Sequence, residues 1–243
     1  MHLSLNEMTW LCRQSLEGLG WPQASYNYAA EVITWSLATG LMPASQLSHL
    51  ISDELEPPPS VALDWRAKGT DAGRSLSAEL RLPLGTEFGV AQWLMDLLLV
   101  KSAQGDSAEL LLDGVSSCLP FLYRSLRWHA DEIPADLRIE ASGDGQRFIC
   151  LPKRQQWRFE GGATCSPKIG KLAIRYSNSS NTQLGELQFR QSPVVDHQIA
   201  ADNYQQSIRL GLEIEAEQYR ALFAHAAKVL VSSSELSRQG AGA

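Results

Sequence analysis

The densest cluster of chemically useful side chains is Trp128-His129-Ala130-Asp131-Glu132, which sets an imidazole beside two carboxylates. Histidine changes charge near neutral pH, and adjacent carboxylates shift and orient it, so this spacing suits a general base. The same residues also suit the end of a helix. A second group, Gly161-Gly162-Ala163-Thr164-Cys165-Ser166-Pro167-Lys168, joins glycines that can present backbone donors to a cation that can hold an anion. Its plainer role is a hairpin connection. The third group is the closing stretch, where Arg238, Gly240 and Gly242 either form a free terminus or fold back on a site or partner. Glycine would permit that close approach of main chain.

No established motif joins these groups. The sequence has no P-loop, nucleophile elbow or two-histidine metalloprotease pattern. Gly18-Leu19-Gly20 is an incomplete dinucleotide fingerprint at an expected helix end, where it acts as punctuation. His2, His49, His129, His197 and His225 stand apart from one another, so the sequence implies neither a metal site nor a cofactor. Cys12, Cys118, Cys150 and Cys165 are scattered and read as small buried hydrophobes. Asn178-Ser179-Ser180 matches a glycosylation acceptor, but the chain opens without a secretory signal, and the expected compartment is the cytoplasm.

A net charge of −6 and a pI near 5.4 disfavour nucleic-acid binding. Lys153, Arg154 and Arg158 around Trp157 form a locally basic stretch that reads as a solvated strand face. The most apolar run, 90–100, is broken by Gln92 and Asp96 and falls short of the ~20 residues a membrane-spanning helix needs. It reads as a buried helix, with no membrane partner.

The elements that must position these groups follow from periodicity. Ser4 and Glu7 have capping-box spacing, and Leu5, Met8, Cys12, Leu16 and Leu19 share a helical face. A second helix is expected from an N-cap at Ser25 to Gly40, and a third over 45–55 before the prolines at 57–59. Alternation predicts strands over 76–82 and 109–112, with a helix between them starting at Thr86 and another helix over 116–128. A hairpin is expected from 137–141 and 148–151 around Asp144-Gly145. Further strands are expected at Trp157 and Phe159, at Leu172, Ile174 and Tyr176, at Leu187 and Phe189, and over 208–214. A last helix would pass through Tyr219, Phe223 and Leu230.

The expected class is therefore α+β: a helical N-terminal lobe packed with a mainly antiparallel sheet and a C-terminal helix. Residues 1–243 read as one unit, with possible sub-lobes at 1–56 and 74–243.

Two family resemblances add to this. Leu3-Ser4-Leu5-Asn6-Glu7, Gly18-Leu19-Gly20-Trp21 and Trp35-Ser36-Leu37-Ala38-Thr39-Gly40-Leu41 resemble the opening of a bacterial family called domain of unknown function 3726. Leu82-Pro83-Leu84-Gly85 and Ser237-Arg238-Gln239-Gly240-Ala241-Gly242 look like its middle and closing stretches. That resemblance implies one family-sized unit and draws attention to the tail, without implying an activity. The paired N-terminal helices ending near Ser48-His49 also look like the start of the malate/L-lactate dehydrogenase family, which has a Ser-His-Gly motif and a nicotinamide cofactor; Leu50 stands here in place of the glycine.

With no coherent catalytic set, the expected function is a non-catalytic ligand-binding or accessory protein with a protein partner or a small metabolite. The alternatives are a small-metabolite enzyme related to oxidoreductases, using His129, His49 or the Lys168 loop, and a structural oligomer subunit anchored by tryptophans such as Trp10, Trp35 and Trp93.

Overall fold

The computed structural model describes residues 1–53, 55, 57, 66–70, 73–81, 89, 93, 94, 96, 97, 100, 107–115, 137–143, 146–151, 156–160, 170–178 and 194–229. A short strand β1 (His2–Leu3) leads into helix α1 (Leu5–Gly18). The capping box forms as expected: the Ser4 hydroxyl accepts from the Glu7 amide at 3.2 Å, and the Glu7 carboxylate accepts from the Ser4 amide at 2.7 Å.

Helix α2 (Gln23–Ala38) begins before the expected cap at Ser25. Pro22 is the N-cap instead, because its ring holds the extended entry and its carbonyl accepts the Tyr26 amide at 3.0 Å. The helix is buried along most of its second half, including Val32, Ile33, Trp35 and Ala38. Arg13 pairs with Glu31 at 2.9 Å to clip α1 to α2. Helix α3 is only Leu47–Leu50, shorter than the expected 45–55. Leu47, Leu50, Ile51 and Leu55 are nevertheless all buried, so the apolar spacing is met by a turn of helix and irregular chain.

Among the described residues eight strands follow: β2 (Arg66–Thr70), β3 (Gly73–Arg81), β4 (Ser107–Val115), β5 (Leu137–Gly143), β6 (Gln146–Leu151), β7 (Gln156–Glu160), β8 (Gly170–Asn178) and β9 (Val194–Asp196). They form one sheet in the order β2-β3-β4-β8-β5-β6-β7-β9. The β3–β4 pair is parallel and the other described pairs are antiparallel. Register sets Leu76, Ala78 and Leu80 beside Ala108, Leu110 and Leu112, which in turn pair with Tyr176, Ile174 and Leu172. Ala78, Leu80 and Leu110 are buried while the alternate positions Glu79, Arg81 and Leu111 are exposed, so this apolar row marks the core face. In the expected hairpin, Gly143 pairs with Gln146.

The C-terminal part differs from expectation. The stretch read as a strand over 208–214 is divided: 208–210 are the end of helix α4 (His197–Leu210), and within it only Leu212–Glu213 are strand, β10. Asp196 starts α4 by accepting the Gln198 and Ile199 amides, and Gly211 ends it at φ 79°. Ile208 and Leu210, which suggested the strand, are exposed on that helix. Helix α5 (Ala216–Ala226) then packs across α1, where the Ser15 hydroxyl lies 2.7 Å from the Leu222 carbonyl oxygen. Strand β1 pairs antiparallel with β10, His2 with Glu213 and Leu3 with Leu212. The two ends of the described chain thus build one helical body against the sheet, an α+β arrangement.

Positions 93, 94, 96, 97 and 100 are helical with Leu94 buried, in line with the expected apolar helix. Among the described residues no helix is long and apolar enough to cross a membrane. Cys12 behaves as a small hydrophobe: burial pushes its thiol up to about 12, against a hydrogen bond with Thr34. The expected helix over 116–128 and the strand at Leu187 and Phe189 lie outside the described residues.

Candidate functional site

Helix α4 places His197, Ala200, Ala201, Tyr204 and Gln205 on one face, at steps of three and four residues. That face lines a cleft of about 220 Å³, whose opposite wall is Trp35 and Thr39 of α2 and Trp157 of β7. The cleft lies at the seam between helical body and sheet.

Polar contacts hold its walls together. Asn203 Nδ2 donates to the Thr39 carbonyl at 2.9 Å and Ser207 Oγ to the Ala38 carbonyl at 3.1 Å. These satisfy acceptors that the last turn of α2 leaves without partners and fix α4 on that helix end. Strand β9 runs directly into α4 and pairs with β7, Asp196 opposite Arg158, which ties the other wall to the same helix.

Gly40 closes α2 at φ 74°, and a Cβ there would lie 2.9 Å from Asn203 Nδ2. Gly40→Ala is expected to cost about 1–3 kcal/mol in urea unfolding, through both the left-handed backbone and displacement of Asn203. A change below 0.5 kcal/mol, as an order-of-magnitude threshold for a neutral surface site, would dissociate α4 docking from this turn.

Chemically, the cleft offers an imidazole, a phenol and a carboxamide against two indoles. The Thr39 hydroxyl is already committed, donating to the Trp35 carbonyl at 2.9 Å. At about 220 Å³ the space is below the roughly 300–1,000 Å³ of sites for drug-sized ligands, so it takes one small molecule or one ring system. Among the described lining residues there is no lysine or arginine to meet a pyrophosphate. The described lining of this cleft alone therefore does not fit a whole nicotinamide dinucleotide. Among the described residues no group of histidine, cysteine, aspartate and glutamate is arranged to hold a metal ion.

The residues singled out from sequence are not those of the cleft. His129, Lys168, Arg238, Gly240 and Gly242 lie outside the described residues; His49 is on the backbone of α3, with its side chain outside them. His197 was counted only as an isolated histidine. Trp157 was expected only as an apolar strand position beside a basic stretch; it is 2% exposed and stands at the seam. The signal that would have found the site is the spacing of His197, Ala201 and Tyr204, visible once 197–210 is taken as helix.

His225 forms a separate cluster at the end of α5. Its Nδ1 lies 3.6 Å from an Asp53 carboxylate oxygen that also accepts from Lys228 Nζ at 3.1 Å. Desolvation lowers the His225 pKa; Asp53 opposes this and Lys228 adds to it. The unfolded chain therefore takes up this proton first. The contribution of His225 to stability is full above the ordinary histidine value of 6.5 and is lost as pH falls through the lower folded value. The urea midpoint is expected to fall as pH drops below 6.5, and His225→Gln to flatten that dependence. An unchanged slope in the variant would assign the acid sensitivity elsewhere.

No family model matches the chain, and no curated protein does. Solved structures do share its fold. Malate dehydrogenase from Pyrococcus horikoshii OT3 aligns with a TM-score of 0.60 at 9% identity, covering 96% of each chain. Malate dehydrogenase from Entamoeba histolytica aligns at 0.56 and 6% identity, over 93% of this chain and 97% of that one. Sulfolactate dehydrogenase from Methanocaldococcus jannaschii aligns at 0.55 and 9% identity, over 94% and 97%. At such identities the likeness is one of fold, in accord with the resemblance of the helical opening to the malate/L-lactate dehydrogenases. The resemblance to domain of unknown function 3726 gains no support from these comparisons.

Proposed function

We propose that this chain is an enzyme acting on a small metabolite, related to the oxidoreductases whose fold it shares, with the α4 cleft as the metabolite site. The observation that carries this reading is the convergence of His197, Tyr204 and Gln205 with two indoles in one cleft. An imidazole and a phenol can hold or deliver a proton, and the indoles exclude water from the side facing the sheet. The dehydrogenase fold of the neighbours supports this reading over that of a non-catalytic accessory protein. In the proposal, residues 1–243 act as one unit, supported by the pairing of β1 with β10.

The test is turnover of the purified chain with nicotinamide nucleotides against malate, lactate, sulfolactate and uncharged carbonyl compounds. Tyr204→Phe and His197→Asn are expected to lower kcat by about 10²-fold with unfolding curves unchanged. Turnover that survives both substitutions would overturn the assignment of the site. Saturable binding without turnover would return the chain to the ligand-binding class.

A further inference from the structure

We propose that the outer edge of β2 is a docking site for an extended segment of another protein in which acidic and apolar residues alternate, added to the sheet as a further strand. This does not rest on the reading of the α4 cleft, which lies beside β7, toward the other end of the strand order.

The first argument is the edge itself. Two strands end the sheet among the described residues, β2 and β9. Strand β9 has three residues and passes straight into α4, so it offers little backbone to a partner. Strand β2 has five, all in register with β3, with neither a proline nor a register shift to bend it. In an antiparallel pair alternate residues turn their N–H and C=O groups away from the partner, and at an edge those groups are a template for another strand.

The second argument is what the register places on each face. Ala67 stands opposite Leu76, in the row that continues to buried Ala78 and Leu80. Ala67 and Gly69 end this row in the two smallest residue types, so an added strand prolongs it with apolar residues at alternate positions. The positions of Arg66, Lys68 and Thr70 fall on the other face, where Arg66 is exposed and Ser75 stands opposite Lys68, with Gly73 and Ser77 on the diagonals. The strand holds two cationic residues and no acid, in a chain of net charge −6. Acids two residues apart on an added strand match them, because opposite charges on facing strands attract.

Charge also decides against a second copy of this edge. In a symmetric antiparallel pair centred on the strand, Lys68 would face its own counterpart; centred one residue earlier, Arg66 would face Lys68. Like charges directly opposite are destabilising.

The probe is a fluorescein-labelled heptapeptide, Thr-Val-Glu-Val-Glu-Val-Thr, titrated with the full chain and followed by anisotropy. Binding is expected to saturate, to weaken with added salt, and to be lost when proline, which has no N–H to donate, replaces the central valine. The same peptide with lysines for glutamates is expected to bind about tenfold more weakly. Lys68→Glu should reverse that order, weakening the glutamate peptide and tightening the lysine peptide by about tenfold each, a gain that loss of the fold cannot produce. No saturable binding of the glutamate peptide, equal binding of the lysine peptide, tolerance of the proline, or an unreversed preference in Lys68→Glu would each overturn the proposal. A dimer of the chain in sedimentation that competes with the glutamate peptide would overturn it too, assigning the edge to a second copy.

Discussion

Gly18→Ala will unfold this protein or destabilise it by at least about 3 kcal/mol, a cost at the severe end for a single added methyl. Gly18 is the last residue of α1, and a Cβ there would lie 2.0 Å from the carbonyl oxygen of His225 and 2.9 Å from its carbonyl carbon. Those are backbone atoms of α5, so no side-chain rotation relieves the overlap. The crossing is also fixed one turn away, where Ser15 Oγ lies 2.7 Å from the Leu222 carbonyl. Leu222 and Ala226 are fully buried beside it, so separating the helices would open the core. Urea unfolding of the purified variant, with helical signal as readout, measures the effect. A loss under 1 kcal/mol, the ordinary range for a point substitution, would show that α1 and α5 do not approach as described.

Trp157→Ala should cost about 3–5 kcal/mol, the range for deleting a buried tryptophan. Its position in β7 opposite Cys150 sets it on the sheet face that meets α2 and α4, and it is 2% exposed. Truncation would leave a void joined to the cleft, which helices held by hydrogen bonds to the α2 carbonyls cannot close by sliding. Trp157→Phe should recover more than half of the loss. Equal behaviour of the two variants would mean that the indole packs against little, and the seam would have to be placed elsewhere.

These two positions show what the sequence could and could not convey. Gly18 was legible as the end of a helix, since glycine there needs only local chemistry. Its close approach to His225 depends on a partner 207 residues along the chain, as does the neighbouring Ser15–Leu222 contact, and no local pattern encodes that meeting. The strands around Leu80, Leu110, Ile174 and Trp157 were legible because one sheet face is buried and the other is not, which writes a two-residue period. Strand β2 was missed because Arg66-Ala67-Lys68-Gly69-Thr70 lies at a sheet edge and bears the polar composition that edges tolerate.

Helix α4 misled for a different reason. Its inward positions are Ala200, Asn203, Tyr204 and Ser207, small or polar residues that dock by hydrogen bonds, while Ile199, Ile208 and Leu210 stay exposed. Hydrophobic periodicity therefore tracked the wrong face, and the accidental alternation of Ile208, Leu210, Leu212 and Ile214 imitated a strand. The cap was the better witness: Asp196 before the helix and Gly211 after it are ordinary boundary residues. The cleft stayed hidden with the helix, because its three contributing segments meet only in the folded chain.

The pairing of β1 with β10, and of α1 with α5, also sets a timetable for the nascent chain. Ser15 meets Leu222 across 207 residues, so the apolar face of α1 emerges from the ribosome long before the helix that covers it exists. At the usual ~5–20 residues per second, that face waits roughly 10–40 s uncovered. Chaperone dependence should therefore act during synthesis and fall away once residue 226 is clear of the exit tunnel. A helix made some 200 residues later is the one that lets the first become stable.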